Sequence, residues 1–435
     1  MPASNSAPII IIGNGISGIT AARHIRKTSN RLIVVISEET PYFFSRTALM
    51  YVYMGHMKWE HTQPYENTFW KKNKISLVQG RVKEVHGAKQ YIVMEDESTL
   101  HFSDLILATG SKPNFFNWEG QGLKAVQGLY HKKDLESMEY WSKETQNAVV
   151  IGGGLIGVEL AEMLISRGIS VHFLVRESSF WNHILPPEES EMINRHIRAH
   201  GVDLRLDTEL EKLLGDDNGR VKAVVTKDGE TIPCQWVGIS VGVSPNIDFL
   251  KNSDVEVARG IKVNAYLETN IPHVYAIGDC AEQQQPIGKR RPIEAVWYTG
   301  RIMGETVAKT ITQERTAYNP GAWFNSAKFF DIEYQTYGWV SAQPEPLEEA
   351  HFFWRHPNKD LLVRFAYHPK TRLFLGVNTF GIRMRHEVFD RWLRKGQTVD
   401  FVIQHLAEAH FDPEFYRTYH RHILEMYEQT AINTY

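Results

Sequence analysis

The sequence predicts an α/β fold in which one strand–turn–helix–strand unit occurs twice and an antiparallel sheet follows. Three observations carry this reading. PIIIIGNGISGITAARHIRK places a continuous apolar run, Ile9 to Ile12, before a glycine-rich turn and a segment with helical spacing. AVVIGGGLIGVELAEMLISRGISVHFLVRE, Ala148 to Glu177, repeats that series. Beyond about Thr316 the texture changes to alternating aromatic segments such as FNSAKFFDIEYQTYGW and LLVRFAYHP, which suit an antiparallel sheet.

Taken in order, Ile9 to Ile12 is apolar throughout, as befits a strand buried on both faces of a parallel sheet. A second apolar run, Leu32 to Ile36, ends at Ser37-Glu38. The two glycine turns begin 152 − 13 = 139 residues apart, which is a repeat of an architecture rather than a short solenoid period. GRVKAVVTKDGETIPCQWVGISVGVSPN reads as a hairpin around Asp228-Gly229 with a return strand, and HVYAIGDCAE as a short strand ending at Gly278-Asp279. DRWLRK and HILEMYEQT are helical in pattern.

Composition narrows the function. A chain of 435 residues has room for two or three domains. A net charge of -3 gives no reason to expect nucleic acid or a membrane surface. No run approaches the roughly 20 apolar residues of a membrane helix. MPASNSAP lacks the pattern of a secretory leader. Cys234 and Cys280 alone make neither a disulfide framework nor a metal cluster, so a reducing, cytoplasmic setting is expected. His405, His410, His420 and His422 are spaced by five, ten and two residues, not the i, i+4 spacing of ligands on one helix face, and no metal is expected there.

The glycine turns have a specific physical logic. The first glycine permits the tight turn, the second lets backbone approach a pyrophosphate, and the third lets helix and strand pack closely. The helix start then offers free N–H groups and a positive dipole end to the phosphates. Gly13, Gly15 and Gly18 fill these positions in the first unit, and Gly152, Gly154 and Gly157 in the second. Glu38 lies 38 − 13 = 25 residues after the first glycine, near the usual position for a group that holds a ribose 2′-hydroxyl. By the same offset the second unit has Glu177, which favours the bare ribose of NADH. If its loops differ by one residue, Val175 or Arg176 takes that place, and arginine suits the 2′-phosphate of NADPH. The reading leans towards Arg176 and NADPH.

GNGISG, DLILATGSKP at 104–113, GGGLIGVELAE at 152–162 and YAIGDCAE at 275–282 occur in the order seen in two-dinucleotide-fold flavoprotein reductases. The chain resembles that family, which is grouped with the pyridine nucleotide-disulfide oxidoreductases. The resemblance implies two Rossmann-like domains, with the NAD(P) domain inserted in the FAD domain, and a C-terminal α+β interface domain. It also implies FAD in the first unit and NADPH or NADH in the second. The expected division is an FAD domain of residues 1–112 and 246–315, an NAD(P) domain of 113–245, and a dimerisation domain of 316–435.

Carried over by position, Gly13, Asn14, Gly15, Ser17 and Gly18 would hold the FAD pyrophosphate and Glu38 the adenosine ribose. Val82 would contact the adenine region, Ala108, Thr109 and Gly110 would close over the flavin side, and Asp279 would bond the ribityl chain. Gly152, Gly154, Gly157, Arg176 and Gly242 would serve the nicotinamide cofactor. Glu159 matches a glutamate near the nicotinamide. Trp297 stands where relatives place a residue beside the isoalloxazine, although a core or interface tryptophan is an equal reading. Arg46 belongs to PYFFSRTALM, which resembles the Y-x-R-x-x-L segment of cysteine-free relatives and would line the flavin pocket. Ferredoxin reductase-like members often carry a lysine where this chain has Tyr51.

Disulfide reductases pass electrons through cysteines, and NADH oxidases use a single cysteine at about Thr47 or Ala48 here. A threonine hydroxyl is no redox centre. The expectation is hydride transfer from NAD(P)H to FAD and direct delivery to an external acceptor, either a redox protein or a small molecule. Rival readings are an oxidase using oxygen, and a nicotinamide sensor resembling apoptosis-inducing factor. FNSAKFFDIEYQTYGW and VIQHLAEAHFDPEFY resemble the dimerisation domain of the NADH oxidase and coenzyme A disulfide reductase branch, so a homodimer is expected.

Overall fold

The computed structural model describes residues 7–432. The expectation made for the first residues, that they hold no leader, lies mostly outside that range. The chain divides into two compact units. One comprises the chain up to Phe116, Gln127–Lys143 and Val241–Pro320; the other comprises Asn117–Val126, Glu144–Ser240 and the chain from Gly321 onward.

The first unit is built on a parallel sheet ordered Val274–Ala276, Asp104–Leu107, Ile9–Ile12, Ile33–Ser37, Ile75–Gln79. Ile9–Ile12 is central, pairs on both sides and is buried throughout, as its unbroken apolar pattern predicts. The helix Ile16–Thr28 follows the first glycine turn and packs on the helix Trp297–Thr312. Small residues set that approach. A Cβ on Gly300 would come 2.6 Å from Ser17 Oγ, and one on Gly304 would come 2.5 Å from Ser17 O. A separate antiparallel sheet carries Val82–His86, Tyr91–Met94 and Thr99–His101.

In the second unit a parallel sheet runs Asp203–Arg205, Ser170–Leu174, Asn147–Ile151, Trp236–Ile239. The hairpin expected at Asp228-Gly229 joins Val221–Thr226 to Thr231–Pro233, and Trp236–Ile239 is the return strand. The last third forms an antiparallel sheet in the order Phe324–Phe329, Ile332–Gly338, Phe374–Phe380, Leu362–Tyr367, Ala350–Arg355. Helices His386–Arg394, Val399–Gln404 and His420–Ile432 follow. Much of its aromatic load is internal: Tyr337, Phe352, Trp354, Phe365, Phe389 and Trp392 share one core. Such rings bury large apolar area, which is what a sheet covered on one face by short helices needs.

Candidate functional site

The first glycine turn separates structural from ligand demands. Gly13 has φ +108°, and a Cβ there would lie 2.1 Å from Ala108 O, so the chain itself requires glycine. A Cβ on Gly18 would meet Gly13 O at 2.1 Å, which is the close helix–strand packing expected of the third position. Gly15 differs. Its φ of −70° and ψ of −177° suit any residue, and a Cβ there would meet nothing within 4 Å. Nothing among the described residues calls for glycine at Gly15, whereas a pyrophosphate approaching the backbone would. The helix start has neither a side-chain cap nor an acid in its first turn, which leaves its N–H groups to a ligand. Asn14 Nδ2 donates to Thr40 O at 2.9 Å and ties the turn to the loop beyond Glu38. Ser17 is buried beside Gly278 and Gly300.

The other residues carried over to FAD also lie in this unit. Glu38 is half exposed at its strand end, 3.5 Å from Arg81 Nε. Val82 is buried at the start of its strand. Ala108 N donates to Ile12 O at 2.8 Å, and Thr109 Oγ1 donates to Asn246 O at 2.7 Å. Gly110 takes φ +67°. Ser111 Oγ donates to Asp279 Oδ2 at 3.2 Å, while Ser111 N donates to Tyr130 OH at 2.9 Å. Desolvation raises the Asp279 carboxyl, opposed by Ser111 and Arg46. Trp297 opens the helix that packs on the first glycine-turn helix and stands edge-on to Tyr298, with ring centroids 5.5 Å apart. Gly242 has φ +90° and its Cβ would face Asn114 at 3.4 Å. Tyr51 stacks on His56, with centroids 6.2 Å apart.

Arg46 is the centre of a cluster that sequence reasoning saw only in part. Its Nη2 donates to Glu39 Oε2 at 2.6 Å and its Nη1 to Tyr130 O, and its guanidinium lies over the Tyr130 and Phe44 rings at 4.4 and 5.1 Å. Glu39 also accepts from Lys132 N at 2.8 Å, and His131 Nδ1 lies 3.6 Å away. Burial alone would raise the Glu39 carboxyl, but the His131 and Arg46 hydrogen bonds outweigh it and bring it to about 2. Burial and the Asp279 charge push the Tyr130 hydroxyl up to about 12. Two signals for Glu39 and Tyr130 were present in the sequence. Glu39 is the second acid of the pair that ends the strand, and Tyr130 precedes a helix-start pattern in which Asp134 accepts from Tyr130 N and His131 N at 2.9 and 2.7 Å.

In the second unit the glycine turn has the same geometry. Gly152 has φ +111° with a Cβ position 2.5 Å from Ser240 O, and a Cβ on Gly157 would lie 2.3 Å from Gly152 O. A Cβ on Gly154 would again meet nothing within 4 Å. Strand register answers the question left by the offsets. Ile12 pairs with Ile36, and Gly13 N donates to Ile36 O; Ile151 pairs with Leu174, and Gly152 N donates to Leu174 O. Two residues beyond each paired position stand Glu38 and Arg176. The second helix-and-loop connection is therefore one residue shorter, and Arg176, not Glu177, is the register equivalent of Glu38. Arg176 is 71% exposed and its Nη2 donates to Glu177 Oε1 at 2.9 Å.

Glu159 lies in the helix Leu155–Ile165 that leaves this turn. Desolvation and the Glu162 charge raise its carboxyl to about 7, against Lys328. Lys328 Nζ donates to Glu162 at 2.7 Å. Both cysteines are free and buried. Burial pushes the Cys234 thiol up to about 12 and raises that of Cys280, whose Sγ lies 3.4 Å from Leu107 O; neither is poised as a thiolate. The C-terminal histidines have local partners. His405 Nδ1 lies 2.8 Å from Phe401 O, His410 is buried beside His420, and His422 Nδ1 accepts from Trp354 Nε1 at 2.8 Å. Among the described residues no helix is long and apolar enough to cross a membrane.

Two glycine turns of one geometry, each with an open second glycine before an uncapped helix, define a two-dinucleotide-fold protein. The chain belongs to the pyridine nucleotide-disulphide oxidoreductase family, whose pattern matches residues 7–304. It is 29% identical over 279 residues to a nitrite reductase (NAD(P)H) of Bacillus subtilis, a match that covers 63% of this chain and 34% of that protein. The chain thus spans about a third of that relative's length. It is 28% identical over 341 residues to the ferredoxin reductase subunit of the 5,5′-dehydrodivanillate O-demethylase of Sphingobium, covering 77% of this chain and 82% of that one. Among solved structures, an NAD-dependent persulfide reductase from A. fulgidus superposes with a TM-score of 0.82 at 22% identity, covering 91% of this chain and 78% of that one, a likeness of fold.

Proposed function

We propose that the protein is an FAD-dependent NAD(P)H oxidoreductase that delivers electrons directly to an external acceptor without a protein disulfide. The observation that carries this is the pair of open glycines, Gly15 and Gly154, which the chain's own packing does not require and two pyrophosphates would. When bound, FAD and a nicotinamide would supply the hydride and electron chemistry. Gly13, Gly15, Gly18 and the helix start at Ile16 would bind the FAD phosphates, Glu38 the ribose and Asp279 the ribityl chain. Arg46, fixed by Glu39, would hold the loop wall. Gly152, Gly154, Gly157 and Arg176 would bind the second dinucleotide. The buried cysteines support direct delivery, because a relay needs an accessible thiolate.

The acceptor best supported is a small redox protein, the role that a ferredoxin reductase subunit's name gives to that relative. The functional division into an FAD domain of 1–112 and 246–315, an NAD(P) domain of 113–245 and a dimerisation domain of 316–435 belongs to this proposal, as do the homodimer and a cytoplasmic setting.

Anaerobic stopped-flow reduction of the purified protein tests the reading. Rapid bleaching of the oxidised-flavin band by one nucleotide is the expected result. Slow or absent bleaching with both NADPH and NADH would overturn it and favour the sensor. Fast oxygen consumption without an added acceptor would favour the oxidase.

Two variants sharpen the roles. Arg176→Ala should raise the KM for NADPH about tenfold and leave that for NADH within about twofold, as expected for loss of a charge-assisted phosphate contact. An unchanged preference between the two nucleotides removes Arg176 from the site. Glu159→Gln should flatten the pH dependence of the reduction rate around neutrality, because the wild-type carboxyl titrates at about 7. A profile identical to wild type would show that Glu159 takes no part.

A further inference from the structure

We infer that the second unit contains a divalent transition-metal site formed by His196, His200 and Asp331. The helix Pro187–Ala199 presents His196 at its C-terminal end and His200 just beyond it, an i, i+4 spacing that puts two imidazoles on one face. Asp331 comes from the tight turn between Phe324–Phe329 and Ile332–Gly338. The ligating atoms of all three lie within 4.8 Å of one another.

The two imidazoles converge on one carboxylate oxygen. His196 Nε2 is 2.6 Å from Asp331 Oδ1, and His200 Nε2 is 3.4 Å from the same oxygen. Yet His196 Nε2 is buried and makes no aligned hydrogen bond among the described residues. The far side of the His200 ring is also set for ligation. His200 Nδ1 lies 2.9 Å from His196 O, and His196 Nδ1 faces Asp360 Oδ2 at 3.8 Å. The carbonyl on Nδ1 of His200 holds the proton there and leaves its Nε2 free for a metal. His200 is further fixed by stacking on Phe330, at 4.4 Å between centroids.

Two imidazoles and one carboxylate suit Zn²⁺. At bond lengths of about 2.0–2.2 Å, tetrahedral ligand atoms stand about 3.3 Å apart. The His200–Asp331 pair already has this spacing, and the His196–Asp331 pair must open by less than about 1 Å. Asp331, 76% exposed in its turn, is free to make that adjustment. The bound ion would pin the helix Pro187–Ala199 to the hairpin, a structural clamp separate from the dinucleotide turns.

The test is calorimetric titration of Zn²⁺ into tag-free protein pre-treated with chelator, alongside His200→Ala and Asp331→Asn. One equivalent should bind in the wild type with micromolar or tighter affinity and raise the melting temperature, as a ligand specific for the folded state must. Both variants should bind at least about tenfold more weakly while keeping wild-type near-ultraviolet dichroism. Absence of saturable binding, or binding that neither substitution weakens, would overturn the site. Should His200→Ala not fold, Asp331→Asn in the exposed turn decides alone.

Discussion

Replacing Gly15 by leucine is expected to give a folded protein that no longer retains FAD. The extended backbone at Gly15 accepts any side chain, and a Cβ there touches nothing among the described residues, so little stability should be lost. The new side chain would occupy the approach to the N–H groups at the start of the helix Ile16–Thr28. Two or more charge-assisted hydrogen bonds to phosphate would be lost at roughly 1.5–3 kcal/mol each, an affinity loss of at least about 100-fold. Flavin released per chain on denaturation reads the first effect, and thermal melting of FAD-free samples the second. Gly13→Ala should behave in the opposite way. Its Cβ would lie 2.1 Å from a backbone oxygen at φ +108°, so folding itself should suffer. Gly154→Leu should keep FAD but abolish reduction by nicotinamide. Stoichiometric FAD in the Gly15→Leu variant would remove the first turn from the cofactor site.

How much of this was legible depended on whether the information was local. The run Ile9 to Ile12 read correctly as a buried parallel strand because every residue on it is apolar, while the run Leu32 to Ile36 marked a strand whose observed bounds are Ile33–Ser37, with Leu32 outside it and exposed. The alternating aromatic pattern after Thr316 likewise announces its sheet. Counting along the chain left Arg176 and Glu177 both open, with the reading leaning to Arg176. The offset from Gly152 matched Glu177, but hydrogen bonding of the glycine to its neighbouring strand makes Arg176 the register equivalent of Glu38. A one-residue difference in a connection is invisible without strand pairing. Tyr130 was missed for a related reason. Its helix-start pattern was local, but its role comes from the return of Gln127–Lys143 to the first unit, a long-range event that no local periodicity encodes. His196 and His200 carried the i, i+4 signal, but the third ligand, Asp331, lies in a distant hairpin turn and only the tertiary fold brings it to them.

Arg46→Met is expected to destabilise the first unit by about 3–5 kcal/mol at neutral pH, the usual cost of stranding one member of a largely buried ion pair. Glu39 and Arg46 are 15% and 30% exposed, so water screens them poorly. Removing the guanidinium would leave the Glu39 carboxylate with only His131 and Lys132 N, and leave Tyr130 O without its donor. The sign of the pH dependence follows from Glu39. Its folded-state value, about 2, lies below the ordinary 4.5, so the stabilisation is present above about 4.5 and is lost as pH falls through about 2. That difference amounts to ~3 kcal/mol. Denaturant melts of wild type and variant should therefore differ most at pH 7 and converge as the buffer is taken below about 4.5. Adding Glu39→Gln to Arg46→Met should recover part of the loss, since an amide is far cheaper to strand than a charge. A gap between the two proteins that stays constant from pH 7 down to about pH 2.5 would mean that Arg46 acts through packing on Phe44 and Tyr130 rather than through Glu39.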